Sequence, residues 1–288
     1  MEGTFGPNLQ RREQISLALQ RQEGNSCHLM GVLNITPDSF HEESRAASPQ
    51  AAIETGLAMW RSGATWLDVG GESTRPGADD VSAIEEEQRV VPVIEGLRKA
   101  NPDGFISVDT RRPSVAKAAL KAGADLINDV SGLRDPAMLS LVLESKCGVC
   151  IMHMQGTPGT MQAEPKYTHC ADEVSEQLLE TARALTAAGH PSNLIALDPG
   201  IGFGKTLPHN IELLQQHHLF RGIEGYALLW GVSRKSMIGL LTDRSEPSQR
   251  LAGTLGAAAV AHYEGIDILR VHDVDEHADL LKVMDALA

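Results

Sequence analysis

Cysteine is scarce in this chain. Cys27, Cys147, Cys150 and Cys170 are the only four in 288 residues, too few for a disulfide framework at this length. Cys147 and Cys150 have C-x-x-C spacing, but they flank a strand-like run ending at Met152. No second pair with zinc spacing follows, so ordinary buried thiols are expected. Long apolar runs are also missing. None reaches the ~18 residues of a membrane span, and the polar N-terminus lacks the apolar core of a signal peptide. A reduced, cytoplasmic setting without a membrane partner is the expectation. Basic charge is short too: Lys+Arg 25 against Asp+Glu 38 leaves a net charge of -13. That argues against a nucleic-acid partner, whose binding would rest on many phosphate contacts. A local cluster of Arg and Lys can still hold a small anion against the net field.

The hydrophobic fraction, 42%, and the length allow one sizeable core. Residues 1–26 are polar and read as an N-terminal extension with a short helix around Gln14 to Gln22. From 27 to 288 the chain alternates between short apolar runs and stretches with helical spacing. Strands are expected at His28–Leu33, Trp66–Val69, Phe105–Val108, Leu126–Ile127, Val149–Met152, Leu194–Leu197, Tyr226–Trp230 and Ile266–Leu269. Helices are expected at Pro49–Arg61, around Val90 to Leu97, at Pro113–Ala122, after Asp135-Pro136, around Val174 to Leu185, at Ile211–His217, at Gln249–Tyr263 and after Val274. About eight strand–helix units in this length predict an α/β fold, a single-domain (β/α)8 TIM barrel. A doubly wound open sheet is the rival. It usually carries a glycine-rich phosphate loop after its first strand, whereas Leu33 is followed here by Asn34.

Polar residues stand where the apolar runs stop: Asn34, Asp68, Asp109, Asn128, His153, Asp198, Lys235, Arg270 and His272. Any one could be a helix cap or a loop start, but a barrel would bring the whole set to one rim. Asp109, Asn128 and Asp198 offer acceptors and an amide suited to a flat heterocycle with adjacent N–H groups. Arg270 could stack on such a ring. Arg75, Arg270 and His272 would form a cationic pole for phosphate, and Asn34 offers the neutral oxygen that Mg2+ accepts when phosphate and water supply the rest. Residue chemistry alone reaches a flat nitrogen heterocycle beside a phosphorylated group.

Seven strings carry a resemblance: Met30 to Phe40 (Met-Gly-Val-Leu-Asn-Ile-Thr-Pro-Asp-Ser-Phe), Asp68 to Gly77, Ser107 to Thr110, Met152 to Gly156, Asp198 to Lys205, Ser233 to Ser236 and Arg270 to Asp273. In this order, from about residue 28 onward, the chain resembles dihydropteroate synthase. The resemblance implies a pterin-binding barrel that joins 6-hydroxymethyl-7,8-dihydropterin diphosphate to 4-aminobenzoate, releasing diphosphate. It implies that Asp109, Asn128, Asp198 and Lys235 hold the pterin, with Met152 and Arg270 over its faces. Asn34 would take Mg2+ on the diphosphate, and Arg75, Arg270 and His272 the phosphate oxygens. Phe40, Thr74, Pro76, Phe203, Lys235 and Ser236 would shape the aminobenzoate site. Asp38, Thr74, Arg75 and Lys235 would serve catalysis. A homodimer through late helices is implied as well, and Ala252 to Ala261 gives a small-residue face consistent with it.

Several residues receive a plainer reading. Gly202-Phe203-Gly204-Lys205 lacks Walker spacing, His153 reads as structural, Glu72 as a partner of local backbone, and Glu85 to Glu87 as a solvated helix start. The family usually continues after Phe40 with a Ser-Asp-Gly-Gly type turn, whereas His41-Glu42-Glu43-Ser44-Arg45 stands here. Two rivals are a pterin-barrel methyltransferase and a pterin-binding paralogue without synthase activity. Diphosphate release from both substrates with Mg2+ separates the three.

Overall fold

The computed structural model describes residues 5–35, 48–72, 81–157, 159–161 and 164–287. Eight strands, β1 (His28–Asn34), β2 (Trp66–Gly70), β3 (Phe105–Asp109), β4 (Leu126–Asp129), β5 (Gly148–Met152), β6 (Ile195–Asp198), β7 (Ala227–Trp230) and β8 (Ile268–Val271), close into one barrel in chain order. All neighbours are parallel, including the closing β1–β8 pair. Strands buried on both faces suit a sheet with helices outside and packed side chains inside. The expected α/β barrel is therefore the observed one.

The register explains why scattered polar residues meet. Asn34 lies opposite Gly70, Gly70 opposite Asp109, Asp109 opposite Asn128, and Asp198 opposite Met152. Since all strands run parallel, the polar residues at their C-terminal ends gather at one mouth of the barrel.

The outer helices are α2 (Pro49–Arg61), α3 (Ala83–Ala100), α4 (Pro113–Ala122), α5 (Pro136–Ser145), α6 (Cys170–Ala187), α7 (Leu207–Gln215), α8 (Ser236–Thr242), α9 (Leu251–Tyr263) and α10 (Val274–Leu287). The α2 and α4 bounds match the expected ones. Helix α7 begins four residues before Ile211, where the Thr206 side chain accepts the His209 N–H and caps it. Helix α8 was not expected, because seven residues leave no periodic pattern to see. Strand β8 starts two residues later than its apolar run, since the Asp267 carboxylate instead takes the backbone N–H of Leu228 at 2.7 Å and of Arg21 at 2.9 Å. Glu86 is also unlike the expectation of a solvated helix start. It is fully buried on α3 and pairs with Arg112 Nη1 at 2.6 Å.

The polar N-terminal segment is the barrel's floor. Helix α1 (Leu9–Leu19) buries Ile15, Ala18 and Leu19 against inward side chains that include Met30, Trp66, Leu126, Cys150 and Ile268. Trp66 Nε1 donates to the Ala18 carbonyl at 2.8 Å. Asp125 anchors the helix, accepting from Arg11 Nε and Nη2 at 2.8 Å each, Arg98 Nη2 at 2.7 Å and the Ile106 N–H at 3.0 Å. Asp125→Ala should cost about 2–3 kcal/mol, because it strips acceptors from partly buried guanidinium groups. Urea unfolding checks this, and a loss under about 0.5 kcal/mol, the level of an ordinary surface change, would refute the anchor.

Candidate active site

At the centre of the mouth lies a carboxylate that the sequence reading placed on the rim without a role. Asp68, fully buried on β2, accepts Ser107 Oγ at 2.6 Å, Asn128 Nδ2 at 3.0 Å and Arg270 Nε at 2.5 Å. Arg270 Nη2 reaches on to Asp109 Oδ2 at 2.7 Å. This network aims its members. A carboxylate only accepts, so the Asn128 amide must turn its NH2 toward Asp68 and its oxygen into the mouth. Asp109 has Oδ2 engaged by Arg270, which leaves Oδ1 as its second acceptor. Asp198 spends Oδ1 on the Gly200 N–H at 2.7 Å, leaving Oδ2 toward the mouth. One oxygen on each of Asp109, Asn128 and Asp198 is thus left by these contacts as an acceptor, a set suited to a ligand edge rich in N–H.

Lys235 completes this side. It follows Arg234, whose φ of 56° is left-handed and uncommon for a residue with a Cβ. Two forked contacts to Asp273 and an N–H bond to Thr254 Oγ1 at 3.1 Å hold Arg234 there. The turn directs Lys235 Nζ onto the Ile201 carbonyl and 4.5 Å from the Phe203 ring centroid. Gly231 lies between the two charged groups: a Cβ there would stand in ordinary contact with Lys235 Nζ at 3.6 Å and Asp198 Oδ2 at 3.7 Å. Met152, Met154, Met161 and Val130 form an apolar wall with Phe203 packed on it.

Burial dominates the electrostatics. It pushes the Asp109 carboxyl up to about 7 against the pull of Arg270, with Asp68 adding to the rise. It pushes Lys235 down to about 8 against the attraction of Asp198, and it also raises Asp198, opposed chiefly by Lys235. A ligand N–H needs Asp109 ionised, and a ligand acceptor needs Lys235 protonated. The second-order rate constant for the heterocyclic substrate should therefore rise with pH through about 7 and fall through about 8. A profile flat from pH 6 to 9 would refute these assignments.

Asn34 ends β1 half-buried, its Oδ1 3.5 Å from where a Cβ on Gly70 would sit. A single neutral oxygen at the rim suits Mg2+ held mostly by phosphate and water. Among the described residues there is no cluster of three His, Cys, Asp or Glu side chains that could hold a metal without such help. His272 sits beside β7's loop, its N–H and Nδ1 at 3.2 and 3.0 Å from Ser233 Oγ. Arg270 is turned inward to Asp68 and Asp109 rather than standing with His272 as a separate cationic pole. Ser236 is exposed at the start of α8. Asp38, Phe40, Thr74, Arg75 and Pro76, with the loop His41 to Arg45, lie outside the described residues.

Glu72, read as a partner of local backbone, does accept the Val81 N–H at 3.3 Å, but it is chiefly an ion-pair residue. Arg112 donates to it at 2.8 and 2.9 Å and Arg111 at 3.2 and 3.3 Å. Burial would raise its carboxyl, yet these hydrogen bonds outweigh it and hold the group at about 2. His153, read as structural, is buried with its Nδ1 3.0 Å from Lys205 Nζ. The four cysteines are buried free thiols.

Residues 30–272 match the family described as "Pterin binding enzyme". The dihydropteroate synthase of Escherichia coli strain K12 is 44% identical over 263 residues, covering 90% of this chain and 91% of that protein. Among solved structures, Xanthomonas albilineans dihydropteroate synthase with 4-aminobenzoic acid superposes with a TM-score of 0.85 at 41% identity, over 92% of this chain and 94% of that one. The same enzyme in complex with 7,8-dihydropteroate gives 0.82 at 38% identity, over 92% and 95%.

Proposed function

This chain belongs to the dihydropteroate synthase family, and from that membership we propose that it condenses 6-hydroxymethyl-7,8-dihydropterin diphosphate with 4-aminobenzoate to give 7,8-dihydropteroate and diphosphate. What supports this reading is that Asp109, Asn128 and Asp198 stand at or next to the C-terminal ends of β3, β4 and β6, each with an acceptor oxygen left over, and that Asp109 and Asp198 both act on the charge of Lys235. A pterin's aminopyrimidinone edge presents adjacent N–H groups and one carbonyl. Carboxylates accept the former in charge-assisted bonds, and the Lys235 ammonium donates to the latter. Met152 and Phe203 supply the apolar surface against which flat rings lie.

The bond to diphosphate breaks with charge separation, leaving the methylene carbon cationic and conjugated with the electron-rich dihydropterin. Asp109 and Asp68, both buried, stabilise positive charge developing on that ring. Arg270 and His272 lie at the same rim for the departing anion. When bound through Asn34, Mg2+ would supply a Lewis acid that neutralises charge on the leaving diphosphate. The arylamine is a neutral nucleophile near pH 7, so positioning supplies much of the remaining acceleration and no strong base is required.

A homodimer is part of the same reading. A groove of ≈ 470 Å³ between α7, α8 and α9 is lined by Leu241, Gly253, Gly256, Ala257 and Val260, with Leu240, Leu241 and Tyr263 exposed beside it. A cytoplasmic location fits four cysteines kept as thiols. Among the described residues no helix is long and apolar enough to cross a membrane.

The test is direct: pure protein with both substrates and Mg2+ should release diphosphate and form dihydropteroate, and chelation should suppress the rate. Diphosphate retained with pterin bound would instead indicate a paralogue without synthase activity. Sedimentation should give twice the 30.9 kDa chain mass, and a monomer at assay concentration would refute the dimer.

A further inference from the structure

Two buried polar side chains lie behind the site without a part in the steps above. Lys205 is 4% exposed and His153 6%. Three acceptors surround Lys205 Nζ: the Phe203 carbonyl at 2.9 Å, the His153 carbonyl at 3.2 Å and His153 Nδ1 at 3.0 Å. An ammonium has three N–H donors and no acceptor, so each donor has one partner. Where the Lys205 ammonium donates to it, His153 presents the Nδ1 lone pair and carries its proton on Nε2, on the side of Gln177; burial lowers Lys205 itself to about 7. Burial, reinforced by Lys205, keeps that imidazole neutral, its pKa lowered to about 3.

Both acceptor carbonyls belong to segments that face the mouth. His153 continues β5 by donating its N–H to the Asp198 carbonyl at 3.0 Å. There the loop after β6 passes so close that a Cβ on Gly200 (φ 69°) would fall 1.9 Å from the His153 oxygen. The loop then turns, Phe203 N–H to Gly200 O at 3.0 Å, and lays Phe203 on the methionine wall. Lys235 grips the same loop from the mouth side through Ile201 O. The Phe203 ring is therefore fixed by one lysine on each side of its loop.

We propose that Lys205 is a positioning residue for the second substrate: by tying the Phe203 carbonyl to the end of β5, it sets the ring surface against which 4-aminobenzoate lies. This rests on the reading that the Phe203 face receives the aminobenzoate. Lys205 makes no hydrogen bond to the pterin acceptors, which are held through Asp68, Arg270 and Gly200, but its charge acts on Asp198 and its amine lies beside Gly200. A space that merely needed filling would be served by an apolar chain of equal length, without the cost of burying an amine.

Lys205→Met keeps the length and removes all three donors. It should raise KM for 4-aminobenzoate about tenfold or more, the effect of losing bonds to a charged donor, and KM for the dihydropterin diphosphate by clearly less, since Lys205 reaches Asp198 through its charge and not by a hydrogen bond. His153→Phe, which leaves the two carbonyl partners of Lys205 in place but removes the Nδ1 acceptor and the Nε2 donor toward Gln177, should shift the same KM in the same direction by less. Lys205→Gln, which restores donors on a shorter arm, should recover part of the loss. Should Lys205→Met fail to fold, the other two variants carry the comparison. Equal rises in both KM values, or an unchanged KM for 4-aminobenzoate, overturn the proposal. If the unaltered protein makes no dihydropteroate, the functional reading falls instead, before any variant is compared.

Discussion

The Asp198→Asn variant is expected to bind pterin about 2–3 kcal/mol more weakly, roughly 30- to 150-fold, the loss that follows when a charged acceptor is removed. The substitution is nearly isosteric, and Oδ1 can still accept the Gly200 N–H. The damage falls at Oδ2, which becomes an NH2 that cannot accept from the ligand. A second consequence sharpens the test. Burial lowers Lys235 to about 8, and Asp198 is the first-ranked charge opposing it. Without that carboxylate the ammonium should lose its proton at lower pH, so the falling limb of the pH profile moves toward neutrality. Titration calorimetry with a non-reactive pterin, together with the rate profile, measures both. Unchanged affinity would remove Asp198 from the site.

Arg270→Met should be the most destabilising change at the mouth. Its guanidinium is shared by Asp68 at 2.5 Å and Asp109 at 2.7 Å, and both carboxylates are buried. Removing one partner of a buried ionic network costs about 3–5 kcal/mol. The pH dependence follows from Asp109, whose folded pKa is raised to about 7 by burial even with Arg270 present. A raised folded pKa contributes stability that is complete below the unfolded value near about 4 and lost as pH rises through the folded one. In the variant the folded pKa is higher still, so stability keeps falling above pH 7, where the parent protein has levelled off. The deficit should therefore widen between pH 5.5 and pH 8.5. Urea titrations at those two values decide it, and an equal loss at both would show that the ion pairs are not its cause.

The barrel was readable because each apolar run is closed by a polar residue, as at Leu33-Asn34, Val108-Asp109 and Leu197-Asp198. The acceptors Asp109, Asn128 and Asp198 stand at or next to the C-terminal ends of their strands, so the barrel topology brings them to the same mouth. Asp68 was visible as a residue but not in its role, since it sits inside the run between Leu67 and Val69. What it grips comes from β3, β4 and β8. Glu86 and Lys205 were misplaced for a related reason. A charged side chain in an acidic run, or after Gly-Phe-Gly, gives no local sign that Arg112 or His153 will enclose it. A short helix is legible around Gln14 to Gln22, but its span, Leu9–Leu19, and its role as the floor are not, because only Ile15, Ala18 and Leu19 are buried within a mostly polar segment.

That floor has a kinetic corollary. With α1 sealing one end, reactants and products share a single doorway. The heterocycle's anchors lie deep, Asp109, Asn128 and Asp198 being 8%, 4% and 5% exposed, whereas Ser236 stands at the open lip. A molecule lodged at the lip would block the way to the anchors. On the proposed placement of the two substrates, the pterin diphosphate is expected to load before the arylamine, and 4-aminobenzoate in excess should slow turnover.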